Sequence, residues 1–189
     1  MLSERILCAG FGGQGVMVLG KLIACAAMLD GREVTWMPSY GPEMRGGTAY
    51  CSVVVSDHPV GSPIVTTNAT SLIVMNLPSL DRFEKSVLPG GIMLVNSSLI
   101  DREVRRNDIL VQRLEAHKIA AQCGAPKAAN MVMLGAYMAI REVIDHHHLK
   151  MAFGQIFGTM TATGFELNMK AVRQGFESVD GGAVIRKAA

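Results

Sequence analysis

Two glycine-rich stretches carry the residues of this chain best suited to chemistry. The first, Gly10-Phe11-Gly12-Gly13-Gln14-Gly15, stands between the apolar run Ile6-Leu7-Cys8-Ala9 and a long helical pattern that starts at Val16. A strand feeds this turn and a helix leaves it. The first backbone N–H groups of the helix lack intrahelical partners and attract anions, and glycine lets a ligand or another backbone come close. The spacing is Gly-x-Gly-x-x-Gly, that of dinucleotide-binding turns, and it fits equally a turn whose glycines only permit tight strand–helix packing. The second stretch is Ser39-Tyr40-Gly41-Pro42-Glu43-Met44-Arg45-Gly46-Gly47-Thr48. Its glycines and proline break regular structure, and it leaves the carboxyl end of the next predicted strand, where open α/β sheets place ligands. Glu43 offers a carboxylate and Arg45 a forked cation suited to phosphate or carboxylate. The same residues also suit an internal Glu43–Arg45 pair or docking on another chain.

Regular elements must hold these stretches in place. The apolar run predicts a strand over about Arg5 to Ala9, and the pattern after the turn predicts a helix over about Gln14 to Leu29, with Gly31 as its stop. Val16, Leu19 and Ile23 line one face of that helix while Met17, Val18, Leu22, Ala24 and Met28 fill others, so it is expected to be buried on more than one side. Glu33 to Met37 predicts a second strand, completing a unit of the length that a right-handed parallel crossover requires. A dinucleotide site wants an acidic residue at the end of this strand for the ribose hydroxyls. Met37, Pro38 and Ser39 stand there, which counts against NAD or FAD. A Walker loop fares no better, because Leu22 replaces the hydroxyl residue that holds magnesium and Gly15 to Lys21 lies within the predicted helix.

Further along, Ala49 to Ser56 alternates and is rich in valine, a strand pattern. Ser71 to Met75 reads as a buried strand, Ser79 to Val87 as a helix, and Ile92 to Asn96 as a strand after the Pro89-Gly90-Gly91 break; Asp108 to Val111 adds an edge strand. Helices follow over about Ala129 to Ile144, Leu149 to Phe157 and Gly164 to Glu177. The first of these is nearly uncharged, as a helix buried at a core or interface is, and Asn130 stands where it could cap it. The sum is a single α/β domain over residues 1–180, with a loose tail at 181–189. Its sheet is expected to be mostly parallel and Rossmann-like, with helices on both faces and a helical C-terminal part.

With 49% hydrophobic and 18% charged residues among 189, the chain has little charge to spread over an isolated globule. Either other chains cover its apolar faces, in which case it is prone to self-associate when isolated, or its core is richly packed. A net charge of +2 and 5% aromatic residues give no basic stripe or stacking platform for nucleic acid. The early apolar run is cut by the glycine turn and by Lys21, so neither a signal peptide nor a membrane span is read. Cys8, Cys25, Cys51 and Cys123 sit apart in apolar contexts without a Cys-x-x-Cys pair, which fits buried thiols of a reducing, cytoplasmic setting. His146-His147-His148 has no carboxylate or cysteine at ligand spacing, so no metal site is assigned. Arg102, Arg105 and Arg106, interleaved with Asp101, Glu103 and Asp108, read as a solvated loop. No Gly-x-Ser-x-Gly elbow and no cysteine with a base beside it is present, so no catalytic residue is assigned to this chain alone.

Taken together, the two glycine stretches resemble the gamma subunit, or gamma domain, of the 2-oxoacid:ferredoxin oxidoreductases. Gly10 to Gly15 before a long apolar helix is similar to that family's opening, and Tyr40-Gly41-Pro42-Glu43-Met44-Arg45-Gly46-Gly47 leading into a strand is similar to its second signature. Asn130 with Leu134-Gly135-Ala136, and Asn168-Met169-Lys170-Ala171, are weaker echoes. The resemblance spans nearly the whole chain and is nearest to the gamma subunit of 2-oxoglutarate:ferredoxin oxidoreductase, with pyruvate and branched-chain relatives still open. It implies a complex that decarboxylates a 2-oxoacid with thiamine diphosphate, magnesium and iron–sulfur clusters, passing electrons to ferredoxin and the acyl group to coenzyme A. This chain has neither the Gly-Asp-Gly and Asn-Asn pattern of magnesium-held thiamine diphosphate nor clustered cysteines, so those groups are expected on partner alpha, beta and delta-type subunits. For this chain the resemblance implies coenzyme A binding, with Gly12, Gly13, Gln14 and Gly15 at the pyrophosphate and Arg45 at a phosphate or steadying the loop. Tyr40, Gly41, Pro42, Glu43, Gly46, Gly47 and Asn130 would then form a site or subunit-interface region. Two further readings stay open: a purely structural subunit of the complex, and a free-standing dinucleotide-binding protein.

Overall fold

The computed structural model describes residues 2–39 and 48–179. Tyr40, Gly41, Pro42, Glu43, Arg45, Gly46 and Gly47 from the second glycine stretch, and the tail at 181–189, lie outside the described residues. In chain order the elements are β1 (Ser3–Phe11), α1 (Val16–Leu29), β2 (Glu33–Ser39), β3 (Thr48–Ser56), β4 (Ala69–Val74), α2 (Leu77–Phe83), β5 (Val87–Asn96), β6 (Leu110–Leu114), α3 (Ala116–Gln122), α4 (Ala129–Ile140), α5 (His146–Ile156) and α6 (Ala162–Glu177). They build one sheet of order β2-β3-β1-β4-β5-β6. The strands β1, β4, β5 and β6 pair in parallel, and β3 runs antiparallel to both of its neighbours.

The expected mostly parallel sheet is therefore present, but its first crossover needs correction. β1 and β2 do run in the same sense, yet β3 lies between them. Burial explains the order. Cys51, Val53 and Val55 are buried on one face of β3, and Ser52 and Val54 on the other, so this strand needs neighbours and cover on all sides. Glu33 and Met37 leave β2 exposed, and such a strand tolerates the edge.

Alternation along the strands divides the core between two faces. Ile6, Cys8, Val53, Ile73 and Leu94 pack with α1, α3, α4, α5 and α6, whereas Leu7, Ala9, Leu72, Val74 and Val95 meet Leu80 and Phe83 of α2 together with Val65 and Ile100. Helices do cover both faces, but unevenly. α1 is buried on several sides, as its pattern implied; a Cβ added at Gly20 would lie 2.3 Å from Cys51 Sγ, so the helix sits close on β3. Every residue of α4 except Ala139 is buried, because the helix runs between the sheet and α6. Gly135 and Gly175 make that second contact: a Cβ on the first would stand 1.8 Å from the Val172 carbonyl oxygen, and one on the second 1.9 Å from that of Val132.

Several boundaries move for local reasons. α1 begins at Val16 rather than Gln14, because Gly15 takes a left-handed conformation at φ 74°. Arg141 turns extended, ending α4 before Ile144, and Asp145 caps α5 by accepting the His148 N–H at 2.8 Å, so the three histidines open that helix. α2 begins earlier than expected because Asn76 caps it, its Oδ1 accepting the Ser79 N–H at 2.9 Å. The Pro89-Gly90-Gly91 break is a bulge inside β5, where the pairing with β4 slips between Ala69–Val87 and Ser71–Ile92. α3 was not read from the sequence; only Ala116 and Ala120 of its seven residues are buried, too few to show a periodic apolar face. The arginine-rich segment is also more than a solvated loop. Arg102 bonds Glu84 at 3.0 Å and Arg113 bonds the Ile100 carbonyl at 2.6 Å, which ties the segment between β5 and β6 down. Among the described residues no helix is long and apolar enough to cross a membrane.

Candidate functional site

The carboxyl ends of β1, β4 and β5 share a seam of polar side chains. α1 leaves β1 toward one face of the sheet and α2 leaves β4 toward the other, so neighbouring connections part between β1 and β4. In parallel sheets that parting is where ligands enter. The glycine turn stands on one side of it and Asn76 on the other.

The turn's glycines divide into two kinds. Gly10 and Gly15 are required by the fold, since a Cβ on Gly10 would lie 2.7 Å from Gln14 Oε1 and one on Gly15, already at positive φ, 2.3 Å from Asn130 Nδ2. Gly12 and Gly13 are exposed, and no heavy atom of the described residues lies within 4 Å of the Cβ that either would carry. Gly13 has φ 90°, which alone calls for glycine, whereas Gly12 is not among the glycines with positive φ. Nothing in the described structure therefore needs a glycine at 12. No acidic residue stands in the first turn of α1, so the partial positive charge of its N-terminus is not offset by a carboxylate of its own.

Gln14 is turned inward. Its Oε1 accepts the Phe11 N–H at 2.7 Å and an Asn76 Nδ2 hydrogen at 3.2 Å, and its Nε2 donates to the Met75 carbonyl at 3.4 Å. The amide thus staples the end of β1 to the end of β4 and holds the corner in shape. Asn130 does not form the expected cap, because Ala128 is the N-cap of α4 and makes no side-chain bond. Its Nδ2 instead donates to the Gly15 carbonyl at 3.1 Å, clamping the turn to α4. A shallow groove lined by Pro126, Lys127, Ala128, Leu167 and Asn168 begins just before that clamp.

Three residues of the seam were missed in the sequence: Asn76, Asn96 and His117. Asn96 is wholly buried, and its Nδ2 stands 3.3 Å from the Met75 carbonyl and 3.1 Å from His117 Nδ1. A carbonyl oxygen needs a donor, so the amide nitrogen faces both groups; the Asn96 Oδ1 is buried without a hydrogen-bond partner among the described residues. His117 lies in the first turn of α3, its backbone N–H donating to Ser98 Oγ at 3.1 Å. Burial lowers its pKa below that of an ordinary imidazole, so the ring is neutral at pH 7. A signal was available, because Met75-Asn76 and Val95-Asn96 each place a polar residue directly after an apolar strand pattern, at the ligand-binding ends of the sheet.

Residues 5–178 match the model of the pyruvate ferredoxin/flavodoxin oxidoreductase family. This chain belongs to that family. It is 45% identical over 136 residues to the ketoisovalerate oxidoreductase subunit VorA of Methanothermobacter marburgensis, an alignment that covers 72% of this chain and 28% of that one. It is 29% identical over 179 residues to the 2-oxoglutarate synthase subunit KorC of Methanocaldococcus jannaschii, covering 93% and 94% of the two chains. Among solved structures, the gamma subunit of keto/oxoacid ferredoxin oxidoreductase from Geobacter sulfurreducens is similar with a TM-score of 0.78 at 28% identity, over 92% of this chain and 96% of that one. The chain thus spans about a quarter of VorA and nearly all of the other two. The family read from the two glycine stretches is the one found.

Proposed function

We propose that this chain is the gamma-type subunit of a 2-oxoacid:ferredoxin oxidoreductase and forms one wall of the coenzyme A site. In the assembled enzyme a 2-oxoacid, coenzyme A and oxidised ferredoxin would give acyl-CoA, carbon dioxide and reduced ferredoxin. The observation that carries the reading is Gly12, an exposed glycine at the parting of the sheet that no described residue requires. Among the described residues, it and Gly13 leave the N-terminus of α1 uncovered for a pyrophosphate, while Gln14 and Asn130 fix the corner from behind. Coenzyme A supplies the thiol that accepts the acyl group; the residues of this chain hold its phosphates and do not react.

Thiamine diphosphate, magnesium and the iron–sulfur clusters belong, on this reading, to alpha, beta and delta-type partners, and ferredoxin meets the complex through them. The cysteines here do not fit cluster ligation: Cys8 and Cys51 face each other across β1 and β3 in the core, Cys25 donates to Gln155 at 3.2 Å, and Cys123 is buried beyond α3. The near end-to-end match with KorC favours 2-oxoglutarate, and the higher identity with VorA makes 2-oxoisovalerate the competitor to assay. A dinucleotide role is disfavoured by the sheet order. The inserted β3 moves β2 about 10 Å from β1, and its end carries Met37, Pro38 and Ser39 where a ribose would need a carboxylate.

Gly12→Asp in the assembled enzyme tests the proposal, since the described residues leave room for the side chain and an anion seat does not tolerate the charge. The expected result is a rise of about tenfold or more in KM for coenzyme A, with 2-oxoacid decarboxylation in the absence of coenzyme A unchanged. Unchanged coenzyme A saturation would remove the anion seat. Loss of copurifying partners with normal saturation in the remaining complex would instead support a purely structural subunit.

A further inference from the structure

Three hydrogen bonds connect the glycine corner to the far side of the seam. Gln14 Nε2 and Asn96 Nδ2 both donate to the Met75 carbonyl, and Asn96 Nδ2 faces His117 Nδ1 at 3.1 Å. His117 Nδ1 is therefore at most roughly 10 Å from the Gln14 amide, three hydrogen-bond lengths. The second hydrogen on Asn96 Nδ2 makes His117 Nδ1 an acceptor, which puts the imidazole proton on Nε2. That atom has no partner among the described residues, and the ring is only half-buried. Asn96 accordingly selects one tautomer of a neutral histidine and presents its N–H at the carboxyl end of the sheet. The alternative amide orientation would set Oδ1 against the Met75 carbonyl and leave the buried NH2 without an acceptor.

We propose that His117 is a second ligand contact of this crevice, an Nε2–H donor to an uncharged acceptor on the ligand whose phosphates sit at Gly12 and Gly13. This rests on the coenzyme A reading. The acceptor is then an amide carbonyl or hydroxyl oxygen of the pantetheine arm, the uncharged part of coenzyme A that extends from its pyrophosphate. Asn96 is the positioning residue. Beside the ring, the α3 cap Glu115 pairs with Lys118 at 2.8 Å, and among the described residues the hydrogen bonds of the ring and its backbone N–H go to the uncharged Asn96 and Ser98. Protonation of His117 would turn Nδ1–H toward the Asn96 amide hydrogens, donor against donor, so the acidic limb of coenzyme A binding reports on this contact.

The test uses the assembled complex and coenzyme A itself. His117→Ala should raise KM for coenzyme A about fivefold or more, while kcat and coenzyme A-independent decarboxylation hold. His117→Gln, whose amide restores a donor, should recover most of the loss. Asn96→Asp places an acceptor against Nδ1, favours the imidazolium, and should move the acidic limb of the KM profile to higher pH. If His117→Ala leaves KM unchanged while Gly12→Asp raises it, the His117 contact is wrong and the phosphate corner stands. If neither variant moves KM, both readings fall. Should the Asn96 variant not assemble, the comparison of alanine with glutamine at 117 decides alone.

Discussion

Gly15 and Asn130 form a pair whose coupling follows from geometry and can be measured by a double-mutant cycle. Gly15 has φ 74°, a region that costs an alanine about 1–2 kcal/mol, and the new Cβ would lie 2.3 Å from Asn130 Nδ2, an overlap whose relief costs about 1–3 kcal/mol more. Gly15→Ala alone should therefore destabilise the chain by about 2–5 kcal/mol. Asn130→Ala removes the 3.1 Å bond to the Gly15 carbonyl, but that carbonyl still accepts the Leu19 N–H at 2.9 Å, so the cost is about 1 kcal/mol. In the double variant the overlap is gone and only the conformational cost and the lost bond remain, about 2–3 kcal/mol. The two changes should thus fall short of additivity by about 1–3 kcal/mol. Urea unfolding of the purified chain, read as midpoints at constant slope, supplies all four corners of the cycle. Strict additivity, or a Gly15→Ala variant as stable as the parent, would refute the claim that Asn130 packs against and clamps the turn.

Other perturbations probe other parts of the fold. Gly135→Ala forces a Cβ to 1.8 Å from the Val172 carbonyl oxygen, so despite the better helix propensity of alanine it should lower stability by about 1–3 kcal/mol, seen as a depressed urea midpoint. Gln14→Ala takes partners from Phe11 N–H and Asn76 and should cost about 1–3 kcal/mol in the same measurement, with a raised KM for coenzyme A as the corner loosens. Tyr137→Phe should be neutral within about 1 kcal/mol, because the buried hydroxyl makes no hydrogen bond of normal geometry among the described residues; a larger loss would show that it donates to the Ser71 hydroxyl, which can still accept while donating to Glu4. The Leu2 N–H lowers the pKa of Asp57, Arg106 lowers that of Asp108, and the His148 N–H lowers that of Asp145. Each carboxyl holds its proton less tightly folded than unfolded, so its contribution is present above the ordinary carboxylate range and is lost as pH falls through the folded value. Acid titration of stability should be shallower in Asp145→Ala, and an unchanged slope would deny the cap its pH dependence.

Local chemistry alone determined a good deal of this molecule. The apolar run before Gly10, the valine alternation of β3 and the uncharged stretch of α4 each record a periodicity that a strand or a buried helix imposes on its own residues. For the same reason the glycine turn was recognisable, since glycine takes the positive φ of Gly13 and Gly15 without the cost that other residues bear. Tertiary structure decided what spacing along the chain does not encode. Strand order is one example: β3 took the place beside β1 because it is buried on both faces, which no property of the β1–α1–β2 segment reveals. The roles within the turn are another, because Gly12 and Gly15 look alike in sequence, yet Gly15 takes a positive φ and has Asn130, 115 residues further on, where a Cβ would go, and Gly12 has neither. The seam of Gln14, Asn76, Asn96 and His117 joins four distant positions through the Met75 carbonyl and the Asn76 amide. A hydrogen bond needs only that two atoms come within reach, and the sheet that brings these ones together is made by pairing strands far apart in the chain.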